Sequence, residues 1–158
     1  MASDLTRRNL LERLCMVASA TLAASAGTHA QAKIAMTVYK TPTCTCCHHW
    51  VEHMNANGFA TTVKDMPDVN PIKRERSVAQ ALWSCHTALV GGYVIEGHVP
   101  AADVKKLLAS APKGVVGLAI PGMPASAPGM DLKPFRPYTV LSFDAQGKTA
   151  VFATHDKA

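Results

Sequence analysis

From residue 34 onward, apolar positions alternate between short β-prone runs and helical stripes, with Gly and Pro between them. Ile34 to Tyr39 is an unpunctuated run that predicts a buried strand, ended by Lys40-Thr41-Pro42-Thr43. The period then changes. Cys47, Trp50, Val51 and Met54 fall at i, i+3, i+4 and i+7, one face of a helix from Cys46 to Asn57 that Gly58 closes. Phe59 to Val63 predicts a second strand, and Pro71 opens a short helix carrying Lys73 to Leu82. Thr87 to Val90 and Tyr93 to Ile95 flank Gly91-Gly92 as a hairpin. Pro100 to Ser110 predicts a helix with Asp103 near its start and Val104, Leu107 and Leu108 as its stripe.

Residues 111–137 lack this periodicity. Six prolines, four glycines and two methionines occur there, which predicts a loop laid over the surface. Tyr138 to Phe143 and Thr149 to Phe152, around Asp144-Ala145-Gln146-Gly147, predict a closing hairpin. The series strand, helix, strand, helix, hairpin, helix is a βαβ start followed by antiparallel strands, an α/β fold.

The first residues do not share this pattern. Arg7-Arg8 precedes an alanine-rich, weakly apolar stretch from Leu14 to Gly27, and Ala30-Gln31-Ala32 offers a cleavage-like site. Residues 1–32 are therefore expected to be an export signal, with the twin arginine suggesting export in folded form. The stretch is too short and too weakly apolar for a permanent anchor, and no later run is long enough to span a bilayer. A periplasmic product without a transmembrane segment is the expectation. Residues 33–158 then make one domain.

That domain carries 13 Lys and Arg against 9 Asp and Glu, scattered apart from Lys73-Arg74-Glu75-Arg76. Such a spread is a solvated surface, and with few aromatic residues it argues against nucleic acid as a partner. The sequence also lacks the G-x-S-x-G, P-loop, dinucleotide and H-E-x-x-H signatures, so hydrolase and nucleotide chemistry have no support.

Sulfur is concentrated instead. Cys44 and Cys47 have C-x-x-C spacing after a strand and at a helix start, where free N–H groups and the helix dipole favour thiolate. That spacing alone reads as a redox pair, Cys44 attacking and Cys47 resolving. The added Cys46 suits a soft metal better, because three thiolates within four residues can bridge several ions. Cys85, beside His86, is a fourth sulfur or a small buried residue, and His86 or a helix histidine is the accompanying ligand. His49 and His53 share a helix face with Cys46 and are auxiliary ligands or merely solvated. Met123 and Met130 either offer thioethers to Cu(I) or pin their loop to the core. His98 is a turn residue bonded to backbone or a ligand.

These residues also carry a resemblance. Thr41-Pro42-Thr43-Cys44-Thr45-Cys46-Cys47, Trp50-Val51, Asn57-Gly58-Phe59 and Ser84-Cys85-His86-Thr87 resemble the CopG-like copper-resistance family, catalogued as domain of unknown function 411. So do Gly92 to Pro100, Gly117 to Pro124 and Ser126 to Met130; Ala125 and Ala127 stand where the family often has glycine. The resemblance implies a thioredoxin-like three-layer sandwich with a small mixed sheet, periplasmic residence and copper or silver tolerance. It further implies Cys44, Cys46, Cys47 and Cys85 as the shared sulfur positions, with Cys85-His86 placed opposite the C-x-x-C site. The resulting expectation is a protein that holds Cu(I) in a small multinuclear thiolate site and acts by sequestration, transfer or redox conversion of the metal, with a periplasmic copper chaperone or efflux component as partner. A thiol–disulfide oxidoreductase using Cys44 and Cys47 is the alternative.

Overall fold

The computed structural model describes residues 32–157. The export signal expected over 1–32 lies, except for Ala32, outside the described residues. None of the described helices is long and apolar enough to cross a membrane.

Seven strands form one mixed sheet: β1 Ile34–Lys40, β2 Phe59–Asp65, β3 Thr87–Val90, β4 Tyr93–Glu96, β5 Val115–Ala119, β6 Tyr138–Asp144 and β7 Thr149–His155. Their spatial order is β2-β1-β3-β4-β5-β6-β7. β1 runs parallel to β2, and β4 parallel to β5; every other neighbouring pair is antiparallel. Among the described residues, three α-helices accompany the sheet: α1 Thr45–Ala56, α2 Asn70–Glu75 and α3 Ala101–Ser110. The expected α/β class with a mixed sheet is what the chain adopts, and the sheet is larger than the sequence indicated.

Side chains alternate between the two faces of the strands, and the core divides accordingly. Met36, Val38, Ala88, Val90, Ile95, Leu118 and Val140 pack on one face with Trp50, Val51 and Met54 of α1 and Ala101, Val104 and Leu107 of α3. Val94, Ala119 and Phe143 face the other way, against Val78 and Leu82. The layers are thus α1 with α3, the sheet, and a thinner layer built from α2 and the turn after it. Each fully buried large apolar side chain contributes about 1.5–3 kcal/mol, so the α1 stripe alone anchors that helix firmly.

Two expectations need correction. The helix expected from Lys73 to Leu82 is broken, because Ser77 takes a left-handed φ of 55° between α2 and a short 3-10 turn at Gln80–Leu82. The break lets Trp83 donate its indole N–H to the Val78 carbonyl at 2.8 Å. The loop expected over 111–137 contains strand β5, hidden in the sequence by Gly117. A Cβ at Gly117 would lie 2.1 Å from the Val94 carbonyl oxygen and 2.6 Å from the Phe143 ring. Glycine is therefore required for β5 to sit between β4 and β6.

Gly117→Ala should destabilise the protein by about 1–3 kcal/mol, the usual cost of overpacking. A lower midpoint in urea unfolding with an unchanged slope would show this, and an unmoved midpoint would refute it.

Candidate metal centre

Three chain segments meet at one end of the sheet. The first is the turn from β1 into α1. Cys44 caps α1, its sulfur accepting from the Cys47 N–H at 3.3 Å, and the two sulfurs are joined in a disulfide. Cys46 is free, 3.6 Å from Cys44 Sγ. Cys47 is fully buried, because it begins the apolar stripe that continues through Trp50.

The second segment is Ser84-Cys85-His86, leading into β3. The third is Gly97-His98-Val99, between β4 and α3. Trp50 ties the first to the third by donating its indole N–H to the Val99 carbonyl at 2.9 Å. Gly97 N–H donates to the His86 carbonyl at 3.0 Å and ties the third to the second.

The outcome is two overlapping donor groups. Sulfurs of Cys44, Cys46, Cys47 and Cys85 lie within 4.8 Å of one another; so do donor atoms of Cys47, Cys85, His86 and His98. Cys85 Sγ is 3.0 Å from His98 Nε2 and 3.5 Å from His86 Nδ1. The His98 Nδ1–H donates to the Pro128 carbonyl at 2.7 Å, which leaves its Nε2 lone pair toward Cys85. His86 is enclosed by Trp50 and His98, with ring centroids 4.3 and 5.0 Å away. Its Nε2 is buried and has no hydrogen-bond partner. His86 Nδ1 and His98 Nε2 both face the Cys85 sulfur, an arrangement that fits a site completed by a metal.

Burial pushes the Cys85 thiol up to about 12, aided by the nearby Cys46 sulfur. It also pushes His98 down and His86 well down, the latter helped by the His98, Lys73 and Lys40 charges. Both imidazoles are neutral near pH 7 and can offer a lone pair. Cys85 keeps its proton until a metal displaces it.

The remaining sequence candidates have other positions. His53 is drawn away: its Nε2 accepts the Ala101 N–H at 3.2 Å and so caps α3. His49 is exposed on α1. Met123 is 56 % exposed and lines a cleft of about 330 Å³ with Asn70, Trp83, Ser84, Cys85 and Gly122. Met130 is half-buried in a strap that runs across α1. In that strap Ala127 and Gly129 are buried, so it is more than a surface covering. A Cβ at Gly129 would come within 2.8 Å of the Cys46 carbonyl oxygen and 2.7 Å of the Trp50 nitrogen.

Sequence reasoning missed a buried polar network behind the site. Glu96 and Lys73 are both buried and form an ion pair. Lys73 also donates to Thr87 Oγ1 at 3.0 Å, and Thr87 donates to Glu96 at 2.7 Å. The Ser84 N–H donates to Glu96 at 2.6 Å. Burial pushes the Glu96 carboxyl up, while the Lys73 ammonium and the other donors pull it back. The signal was a lone acid ending the apolar run Tyr93-Val94-Ile95; Lys73 itself was masked within a run of charges.

Lys73→Met should cost about 3–5 kcal/mol, since it strands a buried carboxylate. Adding Glu96→Gln should restore part of that loss in chemical unfolding, whereas an additive double variant would show the pair to be uncoupled. The Cys85 thiol leads to a separate expectation. In a Cys46→Ser background burial remains the larger cause, so alkylation of Cys85 by iodoacetamide should keep rising about tenfold per pH unit from pH 8 to 10. A free thiol would level off near its pKa of about 8.5, and such levelling would contradict the burial argument.

Comparison with known proteins agrees with this geometry. The family described as "Protein of unknown function, DUF411" matches residues 82–130, the stretch holding Cys85, His86, His98 and both loop methionines. Two solved structures, Form 1 and Form 2 of "Copper resistance protein copG", are each 36% identical, with a TM-score of 0.73. Each alignment covers 78% of this chain and 98% of the other. A search of curated proteins finds no match. With that identity sustained over nearly the whole length of both structures, the chain belongs to the CopG-like family of copper resistance proteins.

Proposed function

We propose that the protein binds Cu(I) through Cys44, Cys46, Cys47 and Cys85, with His86 as accompanying ligand, and that it serves copper or silver tolerance in the periplasm. The observation that carries this reading is the gathering of four sulfurs within 4.8 Å from segments about forty residues apart in the chain. Thiolates select soft ions, and sulfurs packed this closely can bridge more than one. Adjacent Cys46 and Cys47 favour such bridging over chelation of one tetrahedral ion. Residues 1–32 would serve as the export signal, and a periplasmic chaperone or efflux component would supply or receive the metal.

The chain's own groups set the requirements for binding. Opening the Cys44–Cys47 bond takes two electrons and two protons from a dithiol, which closes to its own disulfide. Each thiol that becomes a ligand then releases its proton, and burial makes Cys85 reluctant to do so. Binding should accordingly weaken as pH falls. Met123, exposed beside Cys85, would offer a thioether where the cleft opens to solvent.

The closed disulfide favours a second reading, a thiol–disulfide oxidoreductase using Cys44 and Cys47. Cys44 at the helix start is the half-exposed member of the pair and would be the attacking sulfur.

Anaerobic loading of the reduced protein with Cu(I), then desalting against a chelator and elemental analysis, separates the two. The copper reading expects more than one copper per chain, most of it lost in Cys46→Ser. A protein that retains no copper, yet turns over in disulfide exchange with or without Cys46, would establish the oxidoreductase instead.

A further inference from the structure

The two donor groups are chemically different, and the disulfide acts on them unequally. Joining Cys44 to Cys47 takes two of the four sulfurs from the first group. In the second group it takes only Cys47, leaving one sulfur and two imidazoles. Those three residues are well ordered for a single ion. An ion with bonds of about 2.3 Å to sulfur and 2.0 Å to nitrogen, in tetrahedral geometry, sets an S···N edge of about 3.5 Å. The observed separations from Cys85 Sγ are 3.5 Å to His86 Nδ1 and 3.0 Å to His98 Nε2.

Two further observations support a ligand there. His98 is held by its other nitrogen on the Pro128 carbonyl, the outer contact that orients metal-binding histidines. His86 is fully buried, and its Nδ1 faces the Cys85 sulfur with no other hydrogen-bond partner, so a lone pair is available there. Cys85 lines the open cleft, which gives an ion a route in and leaves space for a water in the fourth position.

We propose that Cys85, His86 and His98 form a second, overlapping site that holds one divalent ion of the zinc or copper(II) class while Cys44 and Cys47 are joined. One thiolate with two imidazoles is harder than four thiolates and suits such an ion. Reduction of the disulfide by a dithiol returns two sulfurs to the pocket and turns its preference toward Cu(I). The site rests on the reading above only in sharing its pocket, Cys85 and His86. The disulfide would then choose between two ions as well as limit how many are bound.

Equilibrium dialysis of the purified, disulfide-closed protein against Zn(II), followed by elemental analysis, tests the site. One zinc per chain is expected, with Co(II) in its place giving the visible bands of a tetrahedral ion bound to sulfur. Cys85→Ser and His98→Gln should each weaken zinc binding at least tenfold. Circular dichroism of each variant confirms that it is folded. Absence of retained zinc, or zinc unaffected by both Cys85→Ser and His98→Gln, would overturn the proposal. Cu(I) loading of the reduced protein is measured in parallel. If wild type takes no Cu(I) yet the disulfide form keeps its zinc, the four-sulfur reading fails and this site stands.

Discussion

The site depends first on one buried carboxylate. Glu96 ends β4, two residues before His98, and gathers the Ser84 N–H, the Thr87 hydroxyl and the Lys73 ammonium. Ser84 and Thr87 bracket Cys85 and His86, so one side chain sets the position of one segment relative to the other. An isolated charge at that depth would be prohibitively costly, and Lys73 from α2 makes it tolerable. The thin layer on the second face of the sheet therefore has a purpose beyond covering Phe143. It delivers the counter-charge.

A second constraint comes from the strap that follows β5. It reaches α1 where only glycine fits, at Gly129, and there presents the Pro128 carbonyl to His98. Asp131 accepts the Gly129 N–H at 2.8 Å and helps fix the turn. The cysteine turn, the histidine pair and the strap thus hold one another through backbone contacts. The tie between helices is similar: His53 of α1 caps α3. A histidine that sequence alone could place among the ligands is occupied with joining two helices.

Much of this was legible because local patterning and tertiary position agreed. The strands from Ile34 to Tyr39 and from Thr87 to Ile95, the stripe through Trp50, and the cysteine cluster all announce themselves in short windows. β5 did not, since its central Gly117 answers to atoms of Val94 and Phe143, far away in sequence. The division of the helix after Arg76 had no local cause either; it follows from docking Val78 and Leu82 under the sheet. Of the site, Cys44, Cys46, Cys47, Cys85 and His86 were readable from spacing and from the family resemblance. His98 was open between two roles, and its two nitrogens divide them: one bonds to backbone while the other faces sulfur. Lys73 could not be recognised, because nothing in a charge run marks the one member that is buried.

The strap also determines where this chain can vary in length. Between Ile120 and Gly129 it is anchored at both ends, Ile120 donating to the Glu96 carbonyl and Gly129 lying against α1. An inserted or deleted residue there would shift the Pro128 carbonyl from beneath His98 and unlock the ring. Beyond Leu132 the chain crosses exposed ground at Lys133 and Pro134 before rejoining the sheet at β6. Homologues should therefore differ in length on the far side of Leu132 and keep count on the near side, a pattern of gaps drawn by one hydrogen bond.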